Sequence, residues 1–167
     1  MAEQNMILGE WASEWFHTQA EGKLAPNTVG GYRNLIFNHI APKLGGVAPT
    51  DLGERQIRAF YRKLSKAGLI DRSVWCVHLL LRRILDEACR EGRIQENPAW
   101  SIGVSPGDAL EIIRWRSGQI KRYLDAAQGL SAYPILYVGL ASGLRQGELI
   151  SLSWAAVDIP GGWVVMK

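Results

Sequence analysis

Residues 54–91 read ERQIRAFYRKLSKAGLIDRSVWCVHLLLRRILDEACRE. Ile57, Phe60, Tyr61 and Leu64 recur at the i, i+3, i+4, i+7 spacing of one helical face, which predicts a helix over Glu54–Ala67. Gly68 stands where a helix commonly closes on a left-handed residue. The pattern then restarts. Val74, Val77, Leu81, Ile84, Leu85 and Ala88 form the stripe of a longer helix over Arg72–Glu91, ended by Gly92. Two amphipathic helices joined by a tight turn must each bury an apolar face, so the chain reads as mainly α.

The polar faces of these helices are basic. Arg55, Arg58, Arg62 and Lys66 lie together opposite Ile57, with no acid among them. On the second helix Arg72, Arg83 and Arg90 share a face, with Trp75, Arg82 and Arg93 beside them. From Arg55 to Arg93 there are ten Lys or Arg against four acids, in a chain whose net charge is +3, so the remainder is net acidic. Such a stripe suits a phosphate backbone, on which each cation displaces condensed counterions. It equally suits the solvated face that any amphipathic helix requires.

Upstream, Ile7, Leu8, Trp11, Trp15 and Phe16 predict a first helix within Asn5–Ala20. A second helix is expected to start at Asn27 or Thr28, either of which can cap it. It carries Val29, Tyr32, Leu35 and Ile36, and is expected to stop before Pro42 and Gly45-Gly46. Lys23, Thr28, Tyr32 and Arg33 gather around its start, which fits either an anion site or a plain cap with a packed tyrosine. Four helices between Leu8 and Arg93 thus predict a helical bundle in residues 1–97.

Pro98, Gly103, Pro106 and Gly107 mark residues 98–114 as a linker. The pattern resumes in residues 115–167, with helices expected at Ser117–Ala127, Tyr133–Ala141 and Gln146–Ser153. Pro160-Gly161-Gly162 reads as a turn, and Trp163–Met166 as a strand with no evident hairpin partner.

Composition narrows the class. The chain has 167 residues, 47% of them hydrophobic and 21% charged, which is globular usage and excludes wholesale disorder. Its pI near 9.0 permits a nucleic-acid partner without demanding one. Cys76 and Cys89 cannot make a disulfide framework, and His17, His39 and His78 form no zinc spacing with them, so no zinc site is expected. The N-terminus has no secretory pattern, and the longest apolar run, Ala132–Ala141, is too short for a bilayer. A reducing cytoplasm is the expected compartment, with no membrane partner.

Residues 141–158 read ASGLRQGELISLSWAAVD. This stretch resembles the tyrosine recombinases, the phage integrase family. Their first catalytic arginine lies in a Thr/Ser-Gly-Leu-Arg-x-Gly-Glu-Leu box followed by Leu-x-Trp-x-x-Val-Asp. Ser142, Gly143, Leu144, Arg145, Gly147, Glu148, Leu149, Leu152, Trp154, Val157 and Asp158 all fit. The likeness extends upstream through Trp11, Trp15 and Phe16, through Thr28 and Tyr32, through His39, Ile40, Pro42 and Gly45, and through Asn97-Pro98.

The resemblance implies a four-helix, SAM-like core-binding domain in residues 1–97 and a linker over 98–114. It implies a partial, mostly helical α/β catalytic domain in residues 115–167. The implied function is site-specific DNA recombination on double-stranded DNA without cofactor, by a tetramer assembled on DNA in the cytoplasm, associated with the nucleoid. Arg145 is the expected catalytic residue, Glu148 is expected to pair locally or hold the turn, and Trp154 is expected in the core. The residues expected to touch DNA are Lys23, Thr28, Tyr32, Arg33, Arg55, Arg58, Arg62, Lys66, Arg72, Ser73, Arg82, Arg83 and Arg90.

One departure is large. The family uses a second arginine in a His-x-x-Arg box, a further His or Trp, a hairpin lysine and a nucleophilic tyrosine, all downstream of the first arginine. The 22 residues after Arg145 contain no tyrosine and no histidine. The sequence is therefore read as an N-terminal piece of a recombinase, expected to form no covalent DNA link alone. The alternatives are a binding-only remnant or a non-enzymatic DNA-binding regulator, in which Arg72, Ser73 and Trp75 would enter the major groove from a helix-turn-helix. A helical protein-interaction module anchored by exposed tryptophans is a third reading. The arginine box is what a regulator does not require, and duplex-DNA binding at two salt concentrations separates the interaction module from the other readings.

Overall fold

A computed structural model describes residues 6–108 and 113–165. The chain forms two compact units, Met1–Leu110 and Glu111–Lys167.

The first unit is built from four helical runs. Helix α1 spans Leu8–Trp15 and continues as a π-turn, Phe16–Ala20. Its buried Leu8, Trp11, Ala12 and Trp15 follow helical spacing. The entry is clamped to a later loop: Leu8 N donates to Val47 O at 2.8 Å, and Gly9 N to Gly45 O at 2.9 Å. A Cβ on Gly45 would collide with the Ala41 carbonyl, so only glycine closes this crossing.

Helix α2 spans Pro26–Leu35, followed by a π-turn over Ile36–Ile40 and helix α3, Ala41–Leu44. Two expectations are corrected here. The cap is not Asn27 or Thr28 but Ala25, with Pro26 as the first helical residue. A proline needs no backbone donor there and arrives with its φ already helical. The run also does not stop before Pro42. The π-turn resets the hydrogen-bond register, and Pro42 falls in the first turn of α3, where a missing N–H costs nothing. Ile36, Ile40 and Leu44 are buried along this run.

Helices α4, Glu54–Lys66, and α5, Asp71–Arg90, follow the predicted pattern. Gly68, with φ of 91°, makes the turn between them. Ile57, Phe60, Tyr61 and Leu64 of α4 meet the apolar stripe of α5 in one core with the residues of α1 and the α2–α3 run. Each large apolar side chain buried there contributes roughly 1.5–3 kcal/mol relative to exposure. Trp11 is satisfied as well as buried: its Nε1 donates to Ile84 O at 3.0 Å.

The segment read as a linker begins as part of this core. Ala99 is fully buried, Ile102 nearly so, and Val104 packs against the same cluster. Glycine and proline around them break helix periodicity, which hid these anchors from a reading by pattern. Residues 109–112 of that stretch lie outside the described residues.

The second unit contains α6, Ser117–Ala127, α7, Tyr133–Ser142, and α8, Gln146–Ser151, then a 3₁₀ turn, Trp154–Ala156. The strand read at Trp163 does have a partner: β2, Trp163–Val164, pairs antiparallel with β1, Val157–Asp158. Asp158 Oδ1 accepts from Gly161 N at 3.0 Å and shapes the turn between them, a local side-chain bond that strand periodicity does not reveal. Met166 lies outside the described residues. Trp154, expected in the core, is 83% exposed. It sits on the 3₁₀ turn between α8 and β1, where no described element of this unit covers it.

Candidate functional site

Arg55, Arg58, Arg62 and Lys66 are all exposed on α4, on the side away from Ile57 and Leu64. The stripe is not free of acid, as the sequence reading had it. Glu54 lies one turn before Arg58 and accepts from its Nε at 2.6 Å. That bond, followed by one from Ser101 Oγ, holds the Glu54 carboxyl below the usual carboxylate range. Among the described residues, Arg55, Arg62 and Lys66 have no carboxylate within ion-pairing distance. A cleft of about 610 Å³ is lined by Arg58, Arg62 and Lys66, by Asp71, and by Ile102 and Val104.

The cations of α5 and α2 are held differently. Arg83 Nη1 donates to Tyr32 Oη at 3.1 Å, and its guanidinium lies over the Trp15 and Tyr32 rings. Two residues singled out separately in the sequence are thereby joined. Arg33 pairs with Glu21 at 2.7 Å and stacks on Phe16 at 5.2 Å. A hydrogen bond from His17, with the Arg33 charge behind it, keeps Glu21 below its ordinary range. Arg90 pairs with Glu87. Arg72 lies over Trp75 at 4.6 Å, and Arg82 over Trp100 at 3.8 Å. Lys23 Nζ bonds Gln19 Oε1 at 3.3 Å, Thr28 is exposed, and Ser73 is half-buried in the first turn of α5. Six of the expected contact arginines are held by one or both of two kinds of partner. Arg33, Arg58 and Arg90 carry a carboxylate partner, whereas Arg72, Arg82 and Arg83 are oriented by aromatic rings.

In the second unit the residues of the arginine box each have a local task. Gly143, at φ 69°, closes α7 in the left-handed region. Ser142 Oγ donates to Val138 O at 2.6 Å and accepts from Leu144 N at 3.3 Å, tying the turn to the helix it leaves. Arg145 stands at the cap of α8. Glu148 bonds it twice: Oε2 accepts from Arg145 N at 2.8 Å, and Oε1 from Nη1 at 2.9 Å. The backbone bond first, and the guanidinium bond second, hold the Glu148 carboxyl below the ordinary range. The arginine is thereby anchored at both ends while its side chain stays 86% exposed. A fixed, solvent-facing guanidinium can donate to two oxygens of a phosphate.

Residues 7–65 match the family described as phage integrase, N-terminal SAM-like domain. The chain is 27% identical over 165 residues to a tyrosine recombinase XerC-like protein of Caldanaerobacter subterraneus subsp. tengcongensis, covering 93% of this chain and 41% of that protein. It is 28% identical over 162 residues to an integrase of Saccharopolyspora erythraea, covering 93% of this chain and 36% of that protein. Residues 7–65 thus match that domain family, and the chain over most of its length is similar in sequence to tyrosine recombinases and integrases. It spans less than half the length of these integrase relatives.

The integrase likeness holds in three dimensions. The Tn1549 transposon integrase (residues 82–397), in complex with circular intermediate DNA, superposes with a TM-score of 0.82 at 19% identity, over 98% of this chain and 54% of that one. A lambda integrase from a tetramer bound to a Holliday junction gives 0.82 at 18% identity, over 95% of this chain and 47% of that one. At such identities the likeness is one of fold. Among the described residues no group of three or more His, Cys, Asp or Glu could hold a metal ion, and no helix is long and apolar enough to cross a membrane.

The sequence reading missed the carboxylates on the basic face. Glu54 and Glu87 lie one helical turn from the arginines they pair with, so the i, i+4 and i, i+3 rules could have found them. It also missed that Asn97 and Trp100 meet at Asp86 of α5, a joining of separate segments that carries no local signal.

Proposed function

We propose that this chain grips duplex DNA with its first unit and that Arg145 of its second unit acts on a scissile phosphate. The reaction is site-specific DNA strand cleavage and rejoining by the whole protein. In this reading residues 1–97 are the core-binding domain, 98–114 lead away from it, and 115–167 belong to the catalytic domain. The observation that carries the chemistry is the double anchoring of Arg145 by Glu148. Phosphoryl transfer builds negative charge on the non-bridging oxygens, and a pre-oriented guanidinium stabilises that charge without reorganising during the step. Glu148 fixes the backbone at Arg145 and one guanidinium nitrogen, leaving the remaining N–H donors for the phosphate.

The basic residues of α2, α4 and α5 support the DNA reading through charge, and the similarity to recombinases and integrases agrees with it. A tetramer on DNA in the nucleoid belongs to the same proposal, on the analogy of the lambda integrase tetramer. Anisotropy titration of residues 1–167 with a labelled mixed-sequence duplex tests it. Affinity of about 10⁻⁴–10⁻⁶ M, falling steeply with salt, is expected. Replacing Arg62 and Lys66 with Glu should weaken binding and flatten the salt dependence. Binding indifferent both to salt and to that double substitution defeats the reading.

A further inference from the structure

Arg82 would ordinarily pair with Asp86, one turn further along α5. It does not. Asp86 Oδ1 instead accepts two other donors, Trp100 Nε1 at 2.7 Å and Asn97 Nδ2 at 2.7 Å. Asn97 is buried and fully used: Nδ2 also donates to Arg82 O at 2.9 Å, and Oδ1 accepts from Ala99 N at 2.9 Å. Ala99 and Ile102, on either side of Trp100, are anchored in the core. Trp100 is thus held by its backbone and by its indole N–H, yet 62% of it remains exposed. The Arg82 guanidinium lies over its ring at 3.8 Å.

The consequence for Arg82 is specific. An aromatic face orients a guanidinium and leaves all its N–H edges unused, whereas a carboxylate takes at least one edge and offsets the charge. Among the described residues Arg82 has no carboxylate within ion-pairing distance. We propose that Trp100 is a positioning residue of the DNA interface: together with Asp86 and Asn97 it keeps Arg82 over its ring, unneutralised and ready to donate to a DNA phosphate. The proposal rests on the DNA-binding reading of the first unit and deepens it by naming what aims one contact.

The test is the slope of log affinity against log salt for residues 1–167 and a mixed-sequence duplex, with thermal melting of each variant to establish that it is folded. Arg82→Gln should flatten the slope by about 0.9, the value of one phosphate contact on duplex DNA. Trp100→Leu, which keeps apolar bulk but removes the aromatic face, should reduce affinity. Combined with Arg82→Gln it should add nothing further. Trp100→Phe, which restores a ring, should recover most of the affinity lost in Trp100→Leu. A merely structural tryptophan would change melting without this dependence on Arg82. Two losses that add independently overturn the inference, as does an unchanged slope in Arg82→Gln while the unmodified chain shows steep salt dependence. A chain with no salt-dependent binding at all overturns the DNA reading and this inference with it.

Discussion

Tyr32 and Arg83 lie 51 residues apart and meet through one hydrogen bond, from Arg83 Nη1 to the tyrosine hydroxyl at 3.1 Å. It ties α2 to α5 where both carry residues expected at DNA. Removing the hydroxyl while keeping the ring isolates this bond. Tyr32→Phe should lower stability by about 0.5–1 kcal/mol, the net worth of an ordinary hydrogen bond, as read from urea denaturation. DNA affinity should fall by about twofold, because Arg83 keeps its charge and its place over the Trp15 and Tyr32 rings and loses one tie. Unchanged affinity would make the pair a purely structural tie.

Glu54 neutralises Arg58 on an otherwise cationic face. Glu54→Gln should therefore raise affinity for duplex DNA at low salt, by about twofold to fivefold, since exposed pairs are weak and screened. The gain should shrink as salt rises. Lower affinity in Glu54→Gln would mean that the pair, and the Ser101 bond to the same carboxylate, order the face more than they oppose DNA.

Gly30 and Gly31 sit inside α2, and a Cβ at either meets nothing within 4 Å. The fold has no steric need for them, although each costs roughly 0.5–1 kcal/mol against alanine in a helix. Gly30→Ala and Gly31→Ala should each stabilise the chain by about that amount in urea titrations. A loss of DNA affinity in the stabilised variants would locate a close approach of the duplex to α2, and unchanged affinity would keep the DNA away from it.

His78 is buried between α4 and α5, where its Nδ1 is 2.9 Å from the Tyr61 hydroxyl. Burial first, and then the Arg82 charge, hold the imidazole below its ordinary range. Burial likewise raises the Tyr61 hydroxyl, so that group stays protonated throughout the neutral range. For a base depressed in the folded state, the unfolded chain takes up the proton first. The contribution to stability is thus present above the ordinary histidine value of about 6.5 and is lost as pH falls below it. Urea midpoints should drop between pH 7 and pH 5, and His78→Gln, neutral throughout, should flatten that drop. An identical pH dependence in the variant would assign the effect to other groups.

How much of this was legible depends on whether a partner lies on the same element. The α4 and α5 stripes and the turn at Gly68 could be read because each apolar residue sits at a fixed spacing from the next. The pairing of Arg145 with Glu148 was legible for the same reason, the two being three residues apart. The α2–α3 run was harder, since a π-turn shifts the period and lets Pro42 fall where it does no harm. Ala99, Ile102 and Trp100 were hidden in a stretch whose prolines and glycines look like a linker, and their contacts are on helices far away in sequence. Periodicity identifies faces; it does not say which cation on a face is neutralised, stacked or free.

The chemistry assigned to Arg145 has the sharpest test. A guanidinium stabilises a transition state only when a nucleophile is aligned with the phosphate. The tyrosines of this chain all precede the arginine box. Tyr61 is buried against His78, and Tyr32 bonds Arg83. Residues 1–167 incubated with a nicked suicide duplex should therefore give no covalent adduct on a denaturing gel. Adding a companion polypeptide that carries the family's His-x-x-Arg box and tyrosine should produce one, provided the two associate. In that mixture Arg145→Ala should slow adduct formation by about 10²–10³-fold, the loss typical of one donor to a developing oxyanion. Glu148→Ala should slow it less, because the guanidinium survives and only its anchoring is lost. Duplex binding, carried by the first unit, should change little in either variant. Adduct formation at an undiminished rate with Arg145→Ala would remove the arginine from the chemistry, and an adduct from residues 1–167 alone would place the nucleophile among the upstream tyrosines.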